Sequence, residues 1–344
     1  MKIKNNQSLN EWINDEDWEE ELFPLRKQPA AKNRLTARPQ QAQTLPAGAA
    51  EDHEDLFDFS YHASRHERQW IEDSLGRFYQ QHWIDDVSRL LKGGKEASVY
   101  LCQGNPTAPA EQMAAKVYRP RKFRNLKNDW VYRENRANRD SSGNIITDDG
   151  LLHAMRKKTS LGMQLLHGAW IEHEYQTLLH LQNAAVDAPA VCARGDNAIL
   201  IEYFGDGVLP APTLNEIDLD SAETRRVFER VFHNIERMLE LNIIHGDLSA
   251  YNILYWDGDI RLIDFPQAIS PHKNHNAWPI FSHDVARVCE YFTLQGVPGL
   301  NPAQLARDLW RSRRLSTIPA LDPQYLDADN PEDRARWQSA RDED

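Results

Sequence analysis

The chain has 344 residues, of which 41% are hydrophobic, and it carries a formal net charge of -12 at pH 7. This length suits a two-lobed domain of about 250 residues with extensions, and the acidity argues against a protein that coats nucleic acid through bulk charge. Its three cysteines, Cys102, Cys192 and Cys289, are too widely spaced for a disulfide framework or a zinc signature, which predicts a reduced, cytoplasmic setting.

The first part of the chain is polar and biased in composition. Residues 1–65 combine acidic clusters with a Pro-, Ala- and Gln-rich run over residues 29–50, and they begin without the apolar core of a signal peptide. Such a stretch buries too little apolar surface to offset its ordering entropy, so we predict a disordered extension, with a short docking segment around Trp12 and Trp18 as the alternative. No run of about twenty apolar residues occurs anywhere, so no membrane span is predicted.

A glycine-containing turn follows a segment with helical periodicity. Apolar positions between residues 67 and 91 recur at helical spacing and predict one or two helices packed on a first lobe. Residues 90–101 then place two glycines before an alternating apolar run, which predicts strand, turn and strand. Glycines let backbone N–H groups approach phosphate oxygens, and Lys95 and Ser98 supply further donors. A plain hairpin turn is the alternative.

A single lysine interrupts the apolar strand predicted at residues 113–118. A strand lysine costs burial energy unless its ammonium meets negative charge, which kinase folds supply through phosphates and a helix glutamate. Lys116 is therefore the candidate phosphate-binding lysine, with an ordinary edge-strand lysine as the alternative. The amphipathic helix predicted over residues 168–181 carries two candidate partners, Glu172 and Glu174.

Between that strand and that helix, residues 119–158 are strongly basic, with interleaved aromatic residues. This composition predicts either a contact with RNA or an acidic protein surface, or a mobile insertion with a solvated charged face. After the helix, strands are predicted at residues 190–193 and 198–204. The end of the second, at residues 201–205, is a candidate hinge whose backbone groups bond an adenine edge. Long helices follow at residues 221–241, 281–294 and 302–310.

The most informative segment lies between the first two of those three helices. It contains an Asp (Asp247), an Asn five positions later (Asn252) and a second Asp (Asp264) behind a predicted strand. This is the spacing by which kinase-like folds hold a nucleotide-bound metal. Hard oxygen ligands suit Mg²⁺, so Asn252 and Asp264 are the candidate ligands and Asp247 is left to orient a hydroxyl or water. For any one residue alone, a turn or helix cap is the alternative.

Six motifs occur in one order along the chain: Gly94–Tyr100, Lys116–Tyr118, Trp170–Glu174, Pro210–Pro212, His245–Asn252 and Ile263–Gln267. As a set, they resemble the RIO family of atypical serine/threonine protein kinases over roughly residues 85–312. The tryptophan before the helix glutamates and the Pro-Ala-Pro segment make the chain more similar to the first RIO subfamily than to the second.

The resemblance implies an α+β, two-lobed protein-kinase-like fold with a small antiparallel-sheet N-lobe and a mainly helical C-lobe that lacks an activation loop. It implies ATP with Mg²⁺ or Mn²⁺, and a phosphoryl group transferred to a protein, to water or through an aspartyl phosphate. The residues it implies are the catalytic Asp247, Asp264 and Lys116; the nucleotide-binding Lys95, Glu96, Ser98, Val99, Lys116 and Glu174, with Glu202 and Phe204 at the hinge; and the metal ligands Asn252 and Asp264.

The domain organisation follows from the same resemblance. Residues 66–204 form an N-terminal helix and the N-lobe with a basic insertion at 119–165, residues 205–312 form the C-lobe, and residues 313–344 form a polar tail. The implied partners are ATP and either a protein substrate or a ribonucleoprotein such as a pre-ribosomal particle, contacted through residues 119–158. Autophosphorylation is also implied, and no membrane contact is.

Two other classes of protein fit part of this pattern. Small-molecule phosphotransferases of the aminoglycoside and choline kinase type share the His-Gly-Asp and Ile-Asp-Phe segments, but they usually carry His-x-x-Asn after the Asp, where this chain has residues 249–252 as Ser-Ala-Tyr-Asn. A non-catalytic pseudokinase scaffold is disfavoured, because Lys116, Asp247, Asn252 and Asp264 are all present.

Overall fold

Five antiparallel strands form the sheet of the first lobe. A computed structural model describes residues 2–3, 57–119, 129–134 and 136–317. The chain begins with a short strand, and the sheet strands follow; a last hairpin lies in the second lobe. The strands are β1 (Lys2–Ile3), β2 (Ile84–Gly93), β3 (Ala97–Gly104), β4 (Gln112–Tyr118), β5 (Val191–Arg194), β6 (Ala198–Glu202), β7 (Ile217–Asp218), β8 (Ile253–Trp256) and β9 (Asp259–Leu262).

The N-lobe sheet has the order β2-β3-β4-β6-β5, β1 pairs with β7, and β8 pairs with β9. Seven helices accompany these strands in the described ranges. Helices dominate the second lobe, which confirms the predicted α+β, two-lobed kinase-like architecture. The helices are α1 (Arg65–Gln80), α2 (Asp129–Arg133), α3 (Asp149–Lys157), α4 (Ser160–Asn183), α5 (Ser221–Glu240), α6 (Ala277–Leu294) and α7 (Pro302–Ser312).

The two faces of the N-lobe sheet are covered by different helices, because successive side chains of a strand point to opposite sides. One face, which includes Tyr100 and Cys102 of β3, packs against α1 in a cluster with Phe78. On the other face Tyr118 of β4 packs edge-on against Trp170 of α4, with ring centroids 5.2 Å apart. Lys116, two positions before Tyr118 on β4, therefore lies on this second face and points towards α4.

The C-lobe core forms where α5, α6 and α7 pack around the β8–β9 hairpin. Helix α5 begins at the cap residue Asp220, whose side chain accepts hydrogen bonds from two backbone N–H groups of the first turn. Its buried residues Val227, Val231 and Ile235 recur every four positions, so one face enters the core. The segment 265–276 joins Asp264 to α6 without a helix, and the predicted lack of an activation loop stays a prediction.

The helical periodicity predicted over residues 67–91 is wrong beyond Gln80, where α1 ends and the chain turns into β2. Ile84 and Val87 are both fully buried although they are three positions apart. Irregular pairing with β3 at residues 84–86 and 87–89 inserts extra residues and breaks the two-residue alternation of a strand. A bulged strand therefore mimics the spacing of a helix.

The folded region begins before the predicted boundary at residue 65. Phe57 and Phe59 are buried in the cluster beneath α1, so this end of the predicted extension belongs to the N-lobe core. Residues 4–56, including the alternative docking segment, lie outside the described residues. At the other end, the indole N–H of Trp310 donates to the carbonyl of Ser316 at 3.0 Å, and the rest of the predicted tail, from residue 318, also lies outside them.

The basic insertion is folded where the structure describes it. Met155 of α3 and Leu166 of α4 share a small core with Ile146. The backbone carbonyl of Val131 in α2 accepts a hydrogen bond from the Asn274 side chain at 2.6 Å, which ties this part of the insertion to the C-lobe. Residues 120–128 and 135, the rest of this insertion up to α3, lie outside the described residues.

Among the helices of the described ranges, none is both long and apolar enough to cross a membrane. The cytoplasmic setting predicted from the cysteines stays a prediction. Cys102 and Cys289 are buried and Cys192 is partly buried, and all three are free thiols.

Candidate active site

Lys116 lies between two carboxylates at the junction of the lobes. Its Nζ atom is 2.6 Å from Oε1 of Glu174 on α4 and 2.8 Å from Oδ1 of Asp264 after β9. The hydroxyl of Tyr118 donates to the other Glu174 oxygen at 2.8 Å. Glu172, the other candidate partner, instead pairs with Arg194 at 2.9 Å. The structure thus brings together the lysine, glutamate and aspartate that the sequence predicts.

The charge states in this triad are set by mutual stabilisation. Burial disfavours the ammonium of Lys116, but the charges and hydrogen bonds of Asp264 and Glu174 outweigh burial and hold its pKa above the usual value. Burial likewise acts to raise the pKa of Asp264, and the adjacent Lys116 more than offsets it, so that this pKa lies below its ordinary value. Lys116 is therefore a cation and Asp264 an anion at neutral pH.

We expect Lys116→Met to destabilise the nucleotide-free protein. Glu174 is 2% exposed, so its carboxylate would remain buried without a cationic partner. Breaking a buried ion pair in this way lowers the free energy of unfolding by about 3 kcal/mol. Urea denaturation followed by circular dichroism measures the change, and adding Glu174→Gln should restore part of it by removing the orphaned charge. A Lys116→Met protein as stable as the wild type would contradict the buried-pair interpretation.

The β8–β9 hairpin places Asn252 next to Asp264. Ile253 pairs with Leu262 in register, and the N–H of Ile263 donates to the carbonyl of Asn252 at 2.9 Å. The backbone of Asp264 has φ of 73°, a left-handed conformation that Asp and Asn adopt more readily than most residues. Strain of this kind often accompanies functional positions, and here it turns the carboxylate towards Lys116.

His245 connects the two ends of this segment. Its Nε2 atom is 3.1 Å from the carbonyl of Ile263, which can only accept, so Nε2 carries the proton. Nδ1 then accepts from the N–H of Asp247 at 3.3 Å, and the ring packs on Phe265 with centroids 4.6 Å apart. Burial lowers the pKa of His245, in keeping with this neutral form. The histidine is thus a buried brace between Asp247 and the strand end before Asp264.

The loop that carries Asp247 is held by an aspartate that the sequence analysis missed. Asp284 of α6 accepts hydrogen bonds from the backbone N–H groups of Gly246 at 2.8 Å and Leu248 at 3.0 Å. Gly246 has φ of 88°, and a Cβ there would lie 2.5 Å from the carbonyl oxygen of Gln267, so only glycine fits. Burial raises the pKa of Asp284 to about 7.

One sequence signal could have found Asp284. It lies on the apolar side of α6 between the buried residues Phe281, Val285 and Val288. A carboxylate at such a position must have buried donors, since a buried polar group without partners is costly. Arg287, one turn further along, was also missed, and its guanidinium forms a salt bridge with Asp247.

Asn252 and Asp264 fit a divalent cation that is bound together with phosphate oxygens. The Asn252 amide nitrogen donates to the backbone carbonyl of Asp247 at 2.8 Å and to its carboxylate at 3.3 Å, which leaves the amide oxygen to act as a ligand. The Asp264 side chain is 40% exposed. Within the described residues, no group of three or more His, Cys, Asp or Glu could hold a metal ion. One carboxylate and one amide, completed by phosphates, is a usual Mg²⁺ arrangement.

The two side chains of the predicted hinge, Glu202 and Phe204, both contact Arg261 of β9. Glu202 forms a two-pronged ion pair with Arg261, at 2.9 and 3.1 Å. The Arg261 guanidinium also lies over the ring of Phe204, 4.6 Å from its centroid. A nucleotide contact by this segment would therefore use the backbone of Glu202 and Phe204, with Arg261 keeping the strand end in place.

The residues predicted to bind phosphate around the glycine-containing turn do not all face the site. Val99 pairs with Lys116 across β3 and β4 and so shares its side of the sheet. Lys95 is exposed, and Glu96 is half-buried, with its backbone carbonyl accepting from the N–H of Arg119 at 2.9 Å. Ser98 is 3% exposed and points to the opposite face, with Tyr100. The prediction that the Ser98 hydroxyl reaches a phosphate is therefore wrong for this conformation, because strand alternation turns it towards α1.

We expect His173 of α4 to make the fold sensitive to acid. Its Nε2–H donates to the carbonyl of Ala268 at 2.8 Å, and burial, followed by the charge of Arg136, lowers its pKa to about 3 from the usual 6.5. Between about pH 6.5 and pH 3, His173 is protonated in the unfolded chain but neutral in the folded chain, so the free energy of unfolding decreases as the pH falls through this range. Thermal denaturation at a series of pH values should show a shallower loss for His173→Gln. Parallel curves for the two proteins would argue against this role.

The arrangement of a lysine pair, a metal-ligand pair and a braced aspartate is the geometry of a kinase-like site. A protein-family model described as the RIO domain matches residues 98–305, more than half of the chain. The chain belongs to the RIO family. The match begins in β3 and ends within α7, so it includes every site element described above except the glycine-containing turn.

Relatives of known name agree with this assignment. Serine/threonine-protein kinase RIO1 of Homo sapiens is 24% identical over 246 residues, 71% of this chain and 39% of that protein. RIO-type serine/threonine-protein kinase Rio1 of Methanocaldococcus jannaschii is 26% identical over 229 residues, 66% of this chain and 74% of the relative. Serine/threonine-protein kinase RIO3 of Homo sapiens is 30% identical over 129 residues, 37% of this chain and 25% of that protein. The predicted family and its RIO1-like character are confirmed, although the chain spans about two fifths of human RIO1 and a quarter of human RIO3.

Proposed function

We propose that this protein is a RIO-type phosphotransferase that uses ATP and Mg²⁺ or Mn²⁺, acting as a serine/threonine protein kinase or an ATPase. The observation that carries the proposal is the Lys116 ammonium held 2.6 Å from Glu174 and 2.8 Å from Asp264. Phosphoryl transfer depends on placing positive charge and metal ligands around a triphosphate rather than on covalent help from the protein. Membership of a kinase family supports the same conclusion.

Each site residue has a role in this proposal. Lys116 orients the α- and β-phosphates, and Glu174 holds Lys116 in place. Asn252 and Asp264 hold the divalent cation, which when bound neutralises charge on the phosphate oxygens. Asp247 orients the acceptor hydroxyl or water and accepts its proton as the new O–P bond forms and the bond from the γ-phosphorus to the bridging oxygen of ADP breaks.

The proposal is tested with γ-labelled ATP in the presence of Mg²⁺, of Mn²⁺ and of a chelator. We expect metal-dependent release or transfer of the label, and separating the products distinguishes free phosphate from phosphorylated protein. Label on the chain itself reveals autophosphorylation or an aspartyl phosphate, which differ in their stability to hydroxylamine. Absence of turnover and of nucleotide binding under all three conditions would refute the proposal and favour a scaffold.

We also propose a ribonucleoprotein partner for the basic insertion, residues 119–158. Part of its charge is used internally, since Arg136 donates to the carbonyl of Pro266 at 3.2 Å. Its exposed basic residues in the described part are Arg139 and, at the end of α3, Arg156, Lys157 and Lys158, while Asp148 and Asp149 are exposed at the start of that helix. Stimulation of ATP turnover by structured RNA that weakens with salt supports this partner, because phosphate contacts are salt-dependent. Lack of any stimulation leaves a protein substrate as the alternative.

A further inference from the structure

Helix α6 contacts the loop that carries Asp247 in two ways. One residue of the helix binds the backbone of the loop, and another binds the Asp247 side chain. Asp284 binds the backbone N–H groups on either side of Asp247. One turn later, Nη1 of Arg287 contacts Oδ1 of Asp247 in a salt bridge. The helix itself is anchored by buried residues, among them Val285 and Val288, so Arg287 projects from a rigid support.

Both oxygens of the Asp247 carboxylate have partners on fixed elements. Oδ1 meets Arg287 of α6, and Oδ2 lies 3.3 Å from the amide nitrogen of Asn252, the candidate metal ligand. No lysine or arginine occurs at residues 248–252, so the loop has no cationic side chain of its own to orient the carboxylate. A guanidinium is suited to this task, because it is always charged and its donors have a fixed geometry.

We propose that Arg287 is a positioning residue for phosphoryl transfer, holding the Asp247 carboxylate between itself and Asn252 so that it faces the acceptor. This inference rests on the proposed function. Arg287 and Asp247 are 32% and 40% exposed, and an ion pair this accessible contributes little to folding. A misplaced catalytic group, in contrast, costs up to about a hundredfold in rate. If Arg287 only supported the fold, its replacement would lower stability and leave turnover per folded molecule unchanged. If Arg287 positions Asp247, its replacement lowers turnover and leaves stability almost unchanged.

The test compares Arg287→Gln and Arg287→Lys with the wild type and with Arg307→Gln, a matched change of an exposed arginine on α7. We expect Arg287→Gln to lower kcat about tenfold to a hundredfold, with KM for ATP changed less than about twofold, because the nucleotide contacts are intact. Arg287→Lys should recover part of the loss, and guanidinium ion should partly restore Arg287→Ala. The Tm of each variant should stay within about 4 °C of the wild type.

A second comparison asks whether Arg287 acts through Asp247. In the Asp247→Asn background, adding Arg287→Gln should change the residual turnover less than about twofold, because the carboxylate that it orients is already gone. An equal loss in both backgrounds, or an Arg287→Gln protein with wild-type kcat, overturns the positioning role while the proposed function stands. A wild-type protein without metal-dependent turnover overturns both.

Discussion

Asp264→Asn should lower metal-dependent ATP turnover at least about a hundredfold, because it removes the negatively charged ligand of the proposed metal site. Asparagine is the informative replacement, since it tolerates the φ of 73° at this position and keeps a side chain of nearly the same shape. Lys116 retains Glu174, so the lobe junction keeps its buried ion pair. ATP binding measured by calorimetry should become much less dependent on added Mg²⁺.

The control for Asp264→Asn is Asp257→Asn. Asp257 is an exposed residue of the β8–β9 turn that also has positive φ, 47°, but lies away from Lys116. It should leave turnover and metal-dependent binding unchanged. If Asp264→Asn retained full turnover with Mg²⁺, Asp264 would not be a metal ligand and the proposed site would be wrong.

Asp247→Asn should separate nucleotide binding from catalysis. The Asp247 carboxylate serves the transition state more than the bound substrate, so we expect ATP affinity to stay within a few fold while turnover falls about 10²- to 10⁴-fold. The loop backbone should keep its conformation, because Asp284 accepts hydrogen bonds from the N–H groups of Gly246 and Leu248 whether or not residue 247 carries a carboxylate. Equilibrium binding of ATP and single-turnover kinetics measure the two quantities separately.

Asp257→Asn again provides the control, and circular dichroism confirms that each variant is folded. An Asp247→Asn protein with normal turnover per bound ATP but greatly weakened affinity would reverse the assignment. In that case Asp247 would be a nucleotide-binding group, and the acceptor would need another residue to receive its proton.

Local patterns in the sequence determined most secondary structure. The strand around Lys116 and the long helix after Asp220 follow from apolar spacing and capping that neighbouring residues create among themselves. The Asp, Asn and Asp of the second lobe could also be predicted from the sequence, because Asp247 lies only five positions before Asn252 and a tight hairpin joins Asn252 to Asp264. Residues close in sequence and linked by a short turn leave few alternatives for their arrangement.

Tertiary structure decided the contacts between distant elements. Composition and spacing left Glu172 and Glu174 as equal partners for Lys116, and within the sequence only the resemblance to the family singled out Glu174. Residues two apart on a helix point about 200° apart, so the packing of α4 places Glu174 against Lys116 and Glu172 against Arg194. A bulge in β2 imitated a helix, and the alternation of β3 turned Ser98 away from the site. Asp284 and Arg287 reach Asp247 from a helix about 40 residues later, and only the folded chain brings groups so far apart in sequence into contact.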